Sequence, residues 1–336
     1  MTIQKLLLDF FSSFERPFKK GTAFLVACSG GPDSVALVHF LKKIESHLSY
    51  RFHIGHINHK LRGKKSDGDA QFVKELAAQL EWPIHTSVRP IYGVTGNLEE
   101  KARVQRYNAL WKMAWTHRYQ GILTAHTLED QIETIFLNML RGTGPEGMGG
   151  IHPLRLWEGF KIPLMRPFLG VQKKEILDYL KSERLSFRVD QTNTDQKFLR
   201  NWIRLKLIPV IEKKVPGFKK RLAQTAALVR GEQEVWEEIL EEAKTRVLKP
   251  ASTGVLLDLK KLLRYPPATQ RRLVRDIVGK DLATFEGVEG LRRWMQSPPT
   301  SGRIWQLRKG WLIERLSKSK GSSSAQIFWF KIQQGK

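Results

Sequence analysis

Over the first 125 positions, short apolar runs alternate with stretches whose apolar residues recur at helical spacing. Runs at 23–28, 51–57, 83–88 and 120–125 read as strands, with helical patterns at about 33–46, 66–81 and 98–118 between them. An amphipathic helix with Asp9 inside it comes first. This rhythm predicts an α/β fold, a doubly wound parallel sheet with helices on both faces. Ligands in such sheets sit beyond the carboxyl ends of the strands. The chemistry is therefore expected at residues 28–34, 56–63, 89–97 and 126–133.

The later pattern changes character. Two proline-containing segments, 151–156 and 161–167, read as extended pieces around a Glu158-Gly159 turn, and a helix follows at 171–184. A basic helix runs from Phe198 to about Ile211 and meets Lys213-Lys214-Val215-Pro216-Gly217, which breaks it. That break predicts one domain over 1–215 and a smaller mixed, mainly helical domain over 216–336. Within the second domain, helices are expected at 218–248, 266–279 and 284–296. Strand-like ends are expected at 303–315 and 326–333, with Ser317–Ser324 as a linker or hairpin tip.

Charge sharpens this division. The 336 residues hold 57 Lys+Arg against 33 Asp+Glu, a formal net charge of +24. Residues 200–336 contribute 29 of the basic side chains and only 13 of the acidic ones. Such an excess favours a polyanion, and nucleic acid is the usual one. Cys28 is the only cysteine, so neither an internal disulfide nor a cysteine metal cluster can form. With no signal-peptide pattern and no apolar run of spanning length, a cytoplasmic protein without a membrane partner is expected.

The densest chemistry lies at Ser29-Gly30-Gly31-Pro32-Asp33-Ser34, between a strand and a helix. The paired glycines let backbone N–H groups approach an anion at the positive end of the helix, and Ser29 and Ser34 add hydroxyls. The stretch fits neither the Walker loop nor the dinucleotide fingerprint. Asp33 would repel a phosphate unless a divalent cation bridges the two.

Ser29–Ser34 resembles the S-G-G-x-D-S loop of the N-type ATP pyrophosphatases. Four further stretches accompany it: His56-Ile-Asn-His59-Lys-Leu-Arg62; Asn97 to Arg103, Arg106 and Tyr107; Thr124-Ala-His126 to Asp130, Gln131, Glu133 and Thr134; and Asp190-Gln-Thr-Asn193 leading to Arg200, Asn201 and Arg204. Over roughly 20–212 the set is similar to the family of tRNA(Ile)-lysidine synthetases. The resemblance implies ATP and magnesium, free L-lysine, and the CAU-anticodon isoleucine tRNA. Its wobble cytidine would be adenylated and then attacked by lysine, so that the tRNA reads AUA instead of AUG. Ser29, Gly30, Gly31, Pro32, Asp33, Ser34 and His126 would bind ATP, with Asp33 reaching magnesium through the phosphates. Asp33, Arg106, Asp130 and Glu133 would be catalytic. His59, Arg62, Arg106, Asp130, Glu133, Arg200 and Arg204 would meet lysine or tRNA.

Read as residues alone, His126, Asp130 and Glu133 fall on one helical face, where two carboxylates suit an ammonium group or a magnesium ion. Arg106 suits a carboxylate or a phosphate. His56 and His59 lack a third metal ligand nearby. The rivals are a thiolating enzyme, which usually needs further cysteines, a GMP- or NAD-forming ligase, and a non-catalytic RNA-binding protein. Longer family members carry an additional C-terminal domain, which is expected to be reduced or lacking here. The oligomeric state, monomer or homodimer, stays open.

Overall fold

A computed structural model describes residues 2–14, 18–60, 64–90, 98–156, 161–189, 199–251, 254–279, 284–297, 304–306, 311–316 and 329–334. Arg62, Asn97, the Glu158-Gly159 turn, Asp190–Asn193, Phe198 and Ser317–Ser324 lie outside them. The chain divides into two compact units, Met1–Arg230 and Gly231–Lys336.

The first unit runs α1 (Ile3–Ser12), β1 (Ala23–Ala27), α2 (Pro32–Leu48), β2 (Arg51–Asn58), α3 (Lys64–Gln79), β3 (Ile84–Val88), α4 (Leu98–Thr116), β4 (Ile122–Leu123) and α5 (Leu128–Leu140). After these come α6 (Pro145–Met148), β5 (Leu154–Leu156), β6 (Pro163–Met165), α7 (Lys173–Ser182), α8 (Leu199–Trp202), a π turn (Ile203–Leu207) and α9 (Ile208–Lys214). The sheet order is β3-β2-β1-β4-β6-β5. Every pairing is parallel except β5 with β6. The chain turns back at β1, with β2 on one side and β4 on the other, so the crevice of this sheet opens beyond β1 and β4.

β1 is apolar throughout because both of its faces are covered. Phe24 and Val26 pack into a cluster with Leu7 and Phe11 of α1 and Val35, Leu37 and Leu41 of α2. Leu25 points the other way, into Tyr107, Leu110 and Trp111 of α4. Aromatic edges lock the first face, with Phe18 and Phe24 rings 4.9 Å apart and perpendicular.

Two local departures from the sequence pattern have physical causes. The basic helix is not regular: the Ile208 N–H reaches back to the Ile203 carbonyl, a π turn just before Pro209. Proline has no N–H to donate and its ring crowds the carbonyl four residues earlier, so widening the helix there relieves the clash. The compact units also divide beyond the Lys213–Gly217 break, inside α10 (Phe218–Val247). The first turns of α10 pack Phe218, Leu222 and Ala223 against Leu128 and Ile132, which holds them to the first unit.

The second unit continues with β7 (Leu248–Ala251), β8 (Gly254–Asp258), α11 (Leu259–Leu262), α12 (Pro267–Val278), α13 (Phe285–Gln296), β9 (Ile304–Gln306), β10 (Trp311–Leu316) and β11 (Trp329–Gln334). Its sheet is antiparallel in the order β7-β8-β11-β10-β9. The β7–β8 hairpin has no counterpart in the sequence expectations, which make no assignment between 249 and 265. Pro250 is tolerated because β7 is an edge strand. Leu257, Leu262, Leu273, Leu291 and Ile313 form the core of this unit. Among the described residues, no helix is long and apolar enough to cross a membrane.

Two glycines test the packing with opposite signs. A Cβ on Gly121 would lie 2.5 Å from Met165 Sδ and 3.2 Å from Phe24, whereas one on Gly68 in α3 meets nothing within 4 Å. Gly121→Ala should lower stability by about 1–3 kcal/mol, and Gly68→Ala should raise it by about 0.5–1 kcal/mol. Urea denaturation midpoints measure both.

Candidate active site

The loop after β1 turns at Gly30, whose φ of +85° is left-handed. A side chain there would be strained and would press on Phe72 and Val73 at 3.3 Å. The hydroxyl of Ser34 braces the turn by donating to the Gly31 carbonyl at 2.9 Å and accepting from the Ser29 N–H at 3.2 Å. Gly31, the residue before α2, offers no side-chain cap, and Pro32 opens the helix. The N–H groups of the first turn are therefore left for a ligand, at the positive end of a 17-residue helix.

Asp33 sits in that first turn. Lys173 Nζ donates to its Oδ2 at 3.2 Å. Its Oδ1 is buried and has no partner among the described residues. Burial pushes the Asp33 carboxyl up, against the opposing pull of Lys173. An acceptor-only oxygen in that position fits a cation, so Asp33 suits the magnesium role. No cluster of three or more acidic, histidine or cysteine ligands occurs among the described residues. Cys28 is buried and its thiol is pushed up by desolvation, so it serves as a small apolar side chain.

A cavity of about 190 Å³ lies beside the loop, lined among others by Ser29, Asp33, Ser34, Arg106, Tyr107 and His126. His126 is not part of α5. Thr127 is the N-cap of that helix, and Asp130 closes a capping box by accepting from the Thr127 N–H at 2.9 Å. His126 thus sits in the turn before the helix. Its Nδ1 lies 2.9 Å from Thr124 Oγ1, and burial holds its pKa down to about 3.

Asp130 and Glu133 do share a face of α5, but Glu133 is fully buried. It accepts from Arg204 Nε at 2.5 Å, Arg204 Nη2 at 2.8 Å and Arg200 Nε at 2.8 Å. Arg200 Nη2 also donates to Asp130 Oδ1 at 3.2 Å. Two guanidinium groups therefore meet two carboxylates. Glu133 has no exposed surface to offer an ammonium group, while Asp130 keeps a side chain 21% exposed. Desolvation opposes the charged form of Asp130, but Arg200, the Thr127 N–H and Arg204 outweigh it and hold the carboxyl low.

His59 is half-buried after β2, its Nδ1 3.1 Å from the Arg89 carbonyl. His56 is buried, its Nδ1 2.9 Å from the Cys28 carbonyl. The sequence reading missed Lys173 and Arg166. Lys173 opens α7 far along the chain from Asp33, and Arg166 follows β6 directly, outside the segments where chemistry was expected. A basic residue at a strand end was the one available signal for Arg166.

A glycine turn with an uncapped helix start, opening at the β1/β4 switch point of a parallel sheet, defines a nucleotide-binding domain of the PP-loop class. The sequence pattern of the PP-loop domain family matches residues 2–211. A tRNA(Ile)-lysidine synthase of Symbiobacterium thermophilum is 38% identical over 265 residues, covering 76% of this chain and 55% of that protein. One of Geobacter sulfurreducens is 34% identical, covering 88% of this chain and 64% of that protein. One of Nostoc sp. is 32% identical over 324 residues, covering 89% of this chain and 92% of that protein. The chain belongs to the PP-loop family and, within it, to the tRNA(Ile)-lysidine synthase family. It spans less than two thirds of the length of the first two relatives. A solved U34-tRNA thiolase of Methanococcus maripaludis shares the fold, with a TM-score of 0.57 at 15% identity over 68% of this chain and 78% of that one.

Two substitutions probe the site without substrate. Because the folded value of Asp33 is raised, folding favours its protonated form. That contribution is complete below the ordinary 3.8 and is lost as pH rises through the folded value. Asp33→Asn should therefore melt higher than the wild type at pH 7, with the gain fading as pH falls to about 3.8. Glu133→Gln weakens charge-assisted bonds to two arginines and should cost about 2 kcal/mol, read by urea denaturation at pH 7.

Proposed function

We propose that this protein uses ATP to join lysine to C2 of the wobble cytidine of the CAU-anticodon isoleucine tRNA, forming lysidine. The observation that carries the reading is the braced Ser29–Ser34 turn, with Asp33 Oδ1 unpartnered at an uncapped helix start. The relatives' shared name supplies the substrate.

In this reading the turn and the first N–H groups of α2 hold the β and γ phosphates, and Ser29 and Ser34 contribute hydroxyls. Asp33 Oδ1 would hold Mg2+, which when bound neutralises triphosphate charge. His126 and the cavity beside it take the nucleoside end. The cytidine O2 attacks the α-phosphorus and pyrophosphate leaves. An amine of lysine then attacks C2, AMP leaves with the O2 oxygen, and the amine gives up a proton. Arg106, exposed at the cavity rim, suits the lysine carboxylate or a phosphate. Asp130 meets the lysine ammonium, while Glu133 anchors Arg200 and Arg204. His59, and Arg62 a few residues later in the sequence, would serve lysine or tRNA. The basic residues of 216–336 grip tRNA phosphates, so binding should weaken with salt by a slope of about −0.9 per phosphate contact.

Labelled lysine, ATP and bulk tRNA test the reading. Lysine should enter tRNA only when ATP is present. No incorporation by folded protein with a tRNA that carries the CAU anticodon would overturn it. Asp33→Ala should abolish AMP transfer to tRNA without lysine. Asp130→Asn should slow lysine attack, so that adenylated tRNA accumulates. Equal loss of both steps in Asp130→Asn would assign that carboxylate to ATP instead.

A further inference from the structure

Phe52, Ile54 and His56 share one face of β2, and all three are buried. Phe52 and Ile54 belong to the apolar cluster that also holds Val35 and Val73. An imidazole in third place breaks that pattern, and His56 is only 4% exposed. Its Nδ1 lies 2.9 Å from the Cys28 carbonyl, while its Nε2 is buried with no partner among the described residues. A carbonyl can only accept, so Nδ1 carries the hydrogen. Burial pushes the ring's pKa below its ordinary 6.5, so at pH 7 it is neutral and Nε2 is a bare lone pair. Such an orphan acceptor costs stability. What the ring does provide is the bond to Cys28.

That bond falls where β1 leaves the sheet. The paired register of β1 and β2 ends at Ala27 and Gly55. The Cys28 N–H still donates to the Gly55 carbonyl at 3.0 Å, so consecutive residues of β2 hold both backbone groups of Cys28. A trans peptide is planar, with its C=O and N–H pointing opposite ways. Fixing the Cys28 carbonyl therefore aims the Ser29 N–H, which donates to Ser34 Oγ at 3.2 Å. Ser34 Oγ passes its own hydrogen to the Gly31 carbonyl at 2.9 Å, across left-handed Gly30. The Cys28–Ser29 peptide is thus pinned at both edges, by β2 outside the turn and by Ser34 within it.

We propose that His56 is a positioning residue for the glycine turn: its Nδ1–H pins the Cys28–Ser29 peptide and so sets how the turn presents its N–H groups to a polyphosphate. The use for polyphosphate rests on the ATP reading above, whereas the pin itself does not. Side-chain geometry separates this role from plain core filling. The asparagine amide nitrogen is attached at Cγ, as histidine Nδ1 is, so His56→Asn keeps a donor at the pin. His56→Gln carries its amide one bond further out, and His56→Leu has no donor.

The test compares the full-length wild type with these three variants at pH 7, by hydrogen exchange read by NMR without ligand and by calorimetry with ATP and Mg2+. Exchange at the Cys28 and Ser29 amides should quicken about tenfold in His56→Gln and His56→Leu, while the Leu25 and Val26 amides stay slow. The same two variants should bind ATP about tenfold more weakly. His56→Asn should match the wild type in both measurements. Unchanged Ser29 exchange in His56→Gln, or a His56→Asn that exchanges as fast as His56→Gln, would overturn the proposal. Exchange that quickens equally along all of β1 would make His56 a general core residue and overturn it as well. Should His56→Leu fail to fold, the contrast between asparagine and glutamine decides alone. A wild type that binds no ATP would sink the functional reading, and the exchange result would still decide the pin.

Discussion

The buried carboxylate of Glu133 is the contact on which the crevice depends. An ionised group with no exposure survives only when fully paired, and Arg200 and Arg204 provide that pairing through three hydrogen bonds. The interaction joins α5, which begins just beyond β4, to the helix that carries both arginines. Arg200 extends it to Asp130, and Asp130 caps α5 through Thr127. The start of α5, and with it the turn carrying His126, is thereby set from 67 to 71 residues away. Glu129 at the same helix start accepts from the Lys173 backbone and from Lys219 Nζ. Lys173 in turn reaches Asp33 in the glycine turn.

Charge is sorted around the cavity. On one side stand Asp33, Glu129, Asp130 and Glu133, each matched to a cation. On the other stand Arg106 and Arg166, with Arg166 lacking a carboxylate among the described residues. An anionic ligand placed between the glycine turn and Arg106 meets N–H groups, hydroxyls and guanidinium groups. The unpartnered Asp33 oxygen is the exception, and burial there raises the carboxyl's pKa. Sites that act on bound charge store such strain, which a ligand-bound cation relieves.

Much of this was legible because it is local. Apolar runs and helical spacing fixed the sheet, since strands such as β1 are buried on both faces and leave no polar positions. Ser29–Ser34 carried its chemistry in six consecutive residues. What spacing could not give was pairing over distance. Asp130 and Glu133 looked like free acids, because their partners Arg200 and Arg204 come far later and read as contacts to lysine or tRNA. His126 looked helical until Thr127 capped the helix behind it. Arg166 was missed because its position after a strand was a weak signal and its burial shows only in the fold. In the second unit, Pro250 hid an edge strand that only pairing with β8 reveals.

The bond that ATP loses distinguishes this arrangement from a γ-phosphate-transferring enzyme. In the proposed reaction the loop would hold the leaving phosphates by backbone and hydroxyl groups, without the lysine of a Walker loop, and the attacked phosphorus would face the cavity. With ATP labelled at the α or the γ position, CAU-anticodon tRNA and lysine, chromatography of the products reads the broken bond. The account predicts γ label in pyrophosphate and α label in AMP, in equal amounts and dependent on tRNA. Label released from the γ position as orthophosphate, with ADP left behind, would contradict it.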